Sequence, residues 1–147
     1  MEKKIDAKKL VKKMYAAAEQ VLENNKDIME SRLNPDGTAV RSLVVCVAYA
    51  ESGKLYTGMN VAWWHSVCAE NVAISNAWMA GERKILYIMA VKRNKKSRKI
   101  HIVSPCGICR EMFRELMPWI QVVVEDADTK EVKFVPLLDL LPYPNML

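Results

Sequence analysis

Residues 43–50 run for eight positions without a charge, a glycine or a proline, and they are rich in the residue types that suit a strand. A strand apolar on both faces needs cover on both, which predicts a sheet with helices on either side. The rest of the chain offers that cover. Over 6–30, Leu10, Met14, Ala17, Ala18, Val21 and Leu22 recur at helical spacing with the lysines mostly off the stripe, predicting an amphipathic helix laid on something flat. Asn34-Pro35-Asp36-Gly37 signals a turn, and Ser52-Gly53 predicts a tight hairpin into a strand at 54–58. A second helix is expected over 67–80, stopped by Gly81. Strands are expected at 85–91 and 100–103. Ser104 as cap and Pro105 in the first turn open a third helix that Pro118 closes. Strands at 121–125 and 131–135 and a short segment at 137–141 finish the pattern. With 147 residues, 51% of them hydrophobic and 27% charged, the chain has the size and composition of one ordinary globular domain. The expected fold is α/β: a single domain over 1–147 with a mixed five-stranded sheet covered by helices on both faces. Its N-terminal helix region, 1–33, packs on the sheet, and 136–147 forms a C-terminal tail.

Charge is unevenly spread. The net +5 arises from 22 basic and 17 acidic residues, but Lys92, Arg93, Lys95, Lys96, Arg98 and Lys99 crowd into one segment, and the remainder has 16 basic against 17 acidic residues. A polynucleotide groove calls for a basic stripe, so this segment reads as a solvated connection and no nucleic-acid partner is expected. Apolar runs are far too short for a membrane span, and the start Met1-Glu2-Lys3-Lys4 has no apolar signal region behind it. The expected setting is the cytoplasm, with the four cysteines reduced.

Reduced thiols make metal binding the live question. Cys106-Gly107-Ile108-Cys109 is a Cys-x-x-Cys, which alone is compatible with zinc, thiol redox chemistry or coincidence. Cys68, two residues before Glu70 at the start of the other helix, supplies a third thiol. Three soft thiolates suit Zn²⁺, whose catalytic sites keep three protein ligands and leave a fourth position open. Each would sit near a helix N-terminus, where unpaired N–H groups favour negative charge and offset the net −1 of three thiolates on Zn²⁺. His65, three residues before Cys68, keeps a structural Cys₃His site open as an alternative. Cys46, inside an apolar strand, reads as core, and His101 as a structural histidine.

The strings Cys68-Ala69-Glu70 and Ser104-Pro105-Cys106-Gly107-Ile108-Cys109-Arg110, with 34 residues between Glu70 and Pro105, resemble the zinc-dependent cytidine deaminase superfamily in its free-nucleoside branch. Residues 53–61 and 140–143 are similar to that family's sugar-binding segment and C-terminal end. The resemblance implies a three-layer cytidine deaminase-like sandwich. It also implies hydrolytic deamination of a free cytosine nucleoside, Zn²⁺ as cofactor, and a homo-oligomer, tetramer or dimer. It makes Cys68, Cys106 and Cys109 the zinc ligands and Glu70 the general acid/base. Glu70 would take a proton from the attacking water, pass it to ring N3 and later protonate the leaving amine. Ser104 would offer its carbonyl to that amine, the Ala69 backbone would hold the base, and Asn60 would contact the sugar.

The chain departs from the family pattern around the sugar. Asn60-Val61-Ala62 lacks the usual Glu, the stretch to Cys68 is shorter, and Asn71 stands where an Arg is common. Ala62, Trp63 and Trp64 are candidate pocket lining, and a tolerant sugar site follows. The blasticidin S deaminases share a changed sugar segment, so a cytosine-nucleoside antibiotic is an alternative substrate. A polynucleotide deaminase and a non-enzymatic structural-zinc protein are the other readings.

Overall fold

A computed structural model describes residues 5–31, 43–61, 66–94 and 96–143. The apolar run becomes β1 (Val44–Ala50), placed between β2 (Leu55–Met59) and β3 (Ile85–Arg93) and antiparallel to both. The β1–β2 hairpin turns at Gly53, whose φ of 87° is the left-handed region that glycine enters without a Cβ clash. Further along, β5 (Gln121–Glu125) pairs parallel to β3, and β6 (Val132–Pro136) pairs antiparallel to β5. All six segments expected as strands form strands of one sheet, which therefore has six strands rather than the expected five: the path β2-β1-β3-β5-β6, with β4 (Ile100–Val103) pairing with β3 beside it. β3 is long enough to share one edge: its first half bonds to β5 and its second half to β4. Between β3 and β4, Asn94 Oδ1 accepts from the N–H groups of Lys96 and Ser97 at 2.9 and 3.0 Å, a local turn closure.

Side-chain alternation divides the core into two layers. Val45, Val47, Met89, Val91 and Val123 face α1 (Ala7–Asn24), whose buried stripe is Leu10, Met14, Ala18 and Leu22. Asp6 caps α1 by accepting from Lys9 N–H at 3.1 Å. The sequence pattern suggests one helix to residue 30, but α1 ends at Asn24 and a separate α2 (Lys26–Ser31) follows. The reason is local: Asn25 turns its amide back to the Val21 carbonyl at 2.8 Å, satisfying an end of the helix in place of another turn. Arg93, buried on this face, forms an ion pair with Glu23 of α1.

On the other face, Cys46, Ala48, Ala50, Ile88, Ala90 and Val122 pack against α3 (Ala69–Met79) and α4 (Gly107–Leu116). α4 does not start where capping chemistry predicts. Its N-cap is Cys106 rather than Ser104, and Pro105 precedes the helix instead of lying in its first turn. A short 3₁₀ turn, Leu137–Leu140, closes against α4. No helix among the described residues is long and apolar enough to cross a membrane.

The small residues of this face let α3 approach closely, most of all at Gly58 of β2. A Cβ built there would lie 2.2 Å from Ala73 N and 2.5 Å from Ala69 O. The contact is backbone to backbone, so no side chain can move aside. Gly58→Ala is therefore expected to lower stability by about 1–3 kcal/mol or more, as overpacking does. Urea denaturation checks this, and an unchanged midpoint would show that α3 does not seat on β2 as described.

Candidate active site

α3 and α4 begin side by side, and their first turns carry the chemistry. Cys68 is the N-cap of α3 and Cys106 the N-cap of α4, with Cys109 in the first turn of α4. All three Sγ atoms lie within 4.8 Å of one another, and Cys68 Sγ and Cys106 Sγ are 3.7 Å apart. Tetrahedral zinc with Zn–S bonds of about 2.3 Å holds its sulfurs about 3.8 Å apart. The three thiols therefore fit that ion with little rearrangement. Neither N-cap thiol bonds a backbone N–H of its own helix in the capping manner. Cys46 does not join these thiols: it is fully buried in the core layer beneath them.

The thiols differ in acidity. Burial pushes Cys109, which is fully buried, well up, and the neighbouring Glu70 charge adds to that. Cys68 is also raised by burial and by its contact with Cys106. Cys106 is raised by burial, but the N–H groups of Cys109 and Ile108 and the two neighbouring thiols outweigh this, leaving it below an ordinary thiol. Two helix starts aimed at the cluster supply the positive potential that three thiolates need.

Glu70, in the first turn of α3, is only 6% exposed. Burial raises its carboxyl above the usual range, against the opposing effects of its own backbone N–H and the Cys109 thiol. Beside it, Asn71 Oδ1 is buried without a hydrogen-bond partner among the described residues.

A cavity of about 180 Å³ opens from this cluster and is lined by Val44, Asn60, Ser66, Val67, Cys68, Ala69, Glu70, Val103, Ser104 and Cys106. The structure thus brings Asn60, Ala69 and Ser104 to the same cavity as Glu70 and two of the thiols, with Cys109 buried behind. Asn60 is fixed by the sheet: its Oδ1 accepts from Val44 N–H at 2.8 Å, and its N–H donates to the Val44 carbonyl at 3.1 Å. Val61 and Val67 exchange hydrogen bonds of 3.0 and 3.1 Å, which ties the end of β2 to the start of α3. Ala62, Trp63, Trp64 and His65 lie outside the described residues.

Three residues of this region carry no role in the sequence reading. Val44 and Val103 form the apolar walls, yet apolar strand residues look like any other core. Arg110 donates from Nε to the Pro105 carbonyl at 2.9 Å and from Nη1 to the Leu140 carbonyl at 2.8 Å, locking the loop before Cys106 to the C-terminal turn. Its signal was its place at the end of the Cys-x-x-Cys-Arg string.

Residues 12–125 match the model of the cytidine and deoxycytidylate deaminase zinc-binding region. The chain is 36% identical over 105 residues to a cytidine deaminase of Shewanella woodyi, covering 68% of this chain and 31% of that protein. A cytidine deaminase of Shewanella frigidimarina is 36% identical over 113 residues, 74% of this chain and 34% of its own length. The match thus spans about a third of these curated relatives. Among solved structures, the cytidine deaminase of Bacillus anthracis superposes with a TM-score of 0.66 at 22% identity, covering 90% of this chain and 86% of that one. The cytidine deaminase of Burkholderia pseudomallei gives 0.57 at 26% identity, with 86% and 98% covered.

Two outcomes follow from this geometry. The purified protein is expected to carry one zinc per chain, and Cys109→Ser is expected to lose it; elemental analysis decides, and equal zinc in both proteins would disprove this ligand set. The second concerns the metal-free protein. Because burial raises the Glu70 pKa in the folded state, stability is lost as pH rises through that raised value. Glu70→Gln has no such loss, so its stability advantage should be absent in acid and grow toward neutral pH. Denaturation midpoints of both proteins across that range check the sign, and parallel curves would refute it.

Proposed function

The chain belongs to the cytidine and deoxycytidylate deaminase zinc-binding family, and from that premise we propose that it hydrolyses the exocyclic amine of a cytosine nucleoside, releasing the uracil nucleoside and ammonia. The observation that carries this reading is Glu70: a buried carboxyl, on the wall of a cavity, next to three convergent thiols. A structural zinc site has no need for an acid placed there.

Cys68, Cys106 and Cys109 hold the zinc, which when bound supplies a Lewis acid able to make water reactive near neutral pH. The protein's own groups do the rest. Val44, Val67 and Val103 pack against the base and keep bulk water out, while the Ala69 backbone and the Ser104 carbonyl orient its amide edge and amine. Glu70 takes a proton from the water that attacks C4 and delivers it to ring N3. As the C4–N bond breaks, the same carboxylate takes the proton of the new C4 hydroxyl, which becomes the uracil carbonyl, and passes it to the departing amine. A carboxyl raised by burial suits this duty, since a proton shuttle works best with a pKa close to the working pH. Asn60 reaches the sugar. The substrate is a free cytidine or deoxycytidine, natural or modified. Ile108, Leu116 and Leu138, exposed on α4 and the adjoining 3₁₀ turn, support assembly of the chain as a homo-oligomer.

The test is Glu70→Gln. The amide keeps the shape but cannot shuttle protons, so zinc and fold should persist while turnover of cytidine falls by at least about 10²–10⁴-fold. Uridine and ammonia are the readouts, and activity within a few-fold of wild type would end this assignment of the acid/base.

A further inference from the structure

The strand register places one more group beside this cavity. Val44 of β1 lies opposite Lys92 of β3, and Lys92 lies opposite His101 of β4. On the other side of Val44, Asn60 bonds to it in both directions. One row therefore crosses the sheet: Asn60, just after β2, then Val44, Lys92 and His101 of three strands. Directly opposed residues share a face, and Val44 belongs to the face that carries α3 and α4. Lys92 therefore stands on the cavity face, one strand spacing of about 4.8 Å from the cavity wall. Its four-carbon stem can span that distance.

The charge of Lys92 is uncommitted. It is exposed and, among the described residues, it makes no ion pair or side-chain hydrogen bond. Arg93, its neighbour, faces the opposite layer and is paired with Glu23. The cavity is polarised as well. Glu70, at the thiol end, is the one carboxylate among its described lining residues, and the Asn60-Val61-Ala62 segment brings none to the sugar end. His101, next in the row, is half-buried and also borders a separate cavity with Tyr15 and Glu19, so Lys92 alone carries the argument.

We propose that Lys92 is a specificity-determining residue on the sugar side of the cavity, selecting cytosine nucleosides that bear a negative group, phosphate or carboxylate, at the far end of the sugar. This rests on the deaminase reading above and narrows its substrate class.

The experiment compares cytidine, cytidine 5′-monophosphate and cytidine 5′-carboxylate as substrates of the zinc-loaded wild type, Lys92→Ala and Lys92→Arg. The wild type should prefer at least one anionic substrate over cytidine by about threefold or more in kcat/KM at low salt, the scale of an exposed ion pair. That ratio should fall to one or below in Lys92→Ala and survive in Lys92→Arg. In the wild type it should shrink as salt is raised, because the interaction is screened; a merely structural lysine would leave the ratio and its salt dependence unchanged. Whichever anion is preferred identifies the group. Equilibrium binding of the same three compounds to zinc-loaded Glu70→Gln, with and without Lys92→Ala, separates the two levels of inference. A Lys92-dependent preference in binding without turnover of any of the three by wild type upholds the anion site and sinks the deaminase reading. Turnover of cytidine with no anion preference, or a preference that Lys92→Ala leaves intact, overturns the proposal, as does absence of binding by all three.

Discussion

Everything at the site depends on two helices starting at one point. The sulfurs of Cys68 and Cys106 come from positions 38 residues apart in the chain, yet they must meet within a few ångströms. That is arranged by seating α3 and α4 on the same face of one sheet, and the position of α3 is set by its backbone contact at Gly58. The residue whose carbonyl meets that glycine is Ala69, which stands between Cys68 and Glu70. The close contact that seats α3 is therefore also the place from which the first thiol and the carboxyl project. The alanines of this face, Ala48, Ala50, Ala73 and Ala77, serve the same end by keeping helix and strand close.

Local stability is given up to hold these groups. An N-cap Ser or Asp contributes about 1 kcal/mol to a helix by accepting its first N–H groups. Both helices put a cysteine there instead, and neither thiol caps. The unpaired N–H groups remain available to stabilise thiolate, which is visible in the lowered Cys106. Glu70 adds a second cost, since a desolvated carboxyl opposes folding wherever it is ionised. The fully buried side chains of the two core layers, among them Met14, Leu22, Ile88, Met89 and Phe113, offset this away from the chemistry. Arg110 contributes at closer range by holding two carbonyls around the loop before Cys106.

These trade-offs explain which parts of the molecule were legible in the sequence. The central strand, the α1 stripe and the paired thiol strings could be read because alternation, helical period and ligand spacing are written directly in residue order. The start of α4 was misplaced because capping rules weigh Ser against Cys by their hydrogen bonding, and here thiol placement decides. The break after α1 depended on one Asn side chain turning back on its own helix. All six strand segments were read, but the sheet was expected to hold five; that β4 and β5 share one edge of β3 is a matter of relative strand length that no single segment shows. Val44 and Val103 were invisible as cavity walls, since an apolar residue on a buried strand carries no mark of facing a ligand. Trp63 and Trp64, read as possible lining, fall outside the described residues.

The basic segment 92–99 shows the same limit from the other side. In sequence it is a block of charge, and a block suggests either solvent or a polyanion. The strand period breaks the block apart, because successive residues of β3 face opposite layers. Arg93 turns inward to Glu23 beneath α1, Lys92 lies opposite Val44 of the cavity wall, and Asn94 accepts from Lys96 and Ser97 to close a turn. A polynucleotide needs several cations along one face to hold successive phosphates. A single lysine in line with Asn60 and Val44 matches a smaller demand, one negative group on one small molecule. Net charge says that cations are present; the register of β1, β3 and β4 says which one is in a position to meet the substrate.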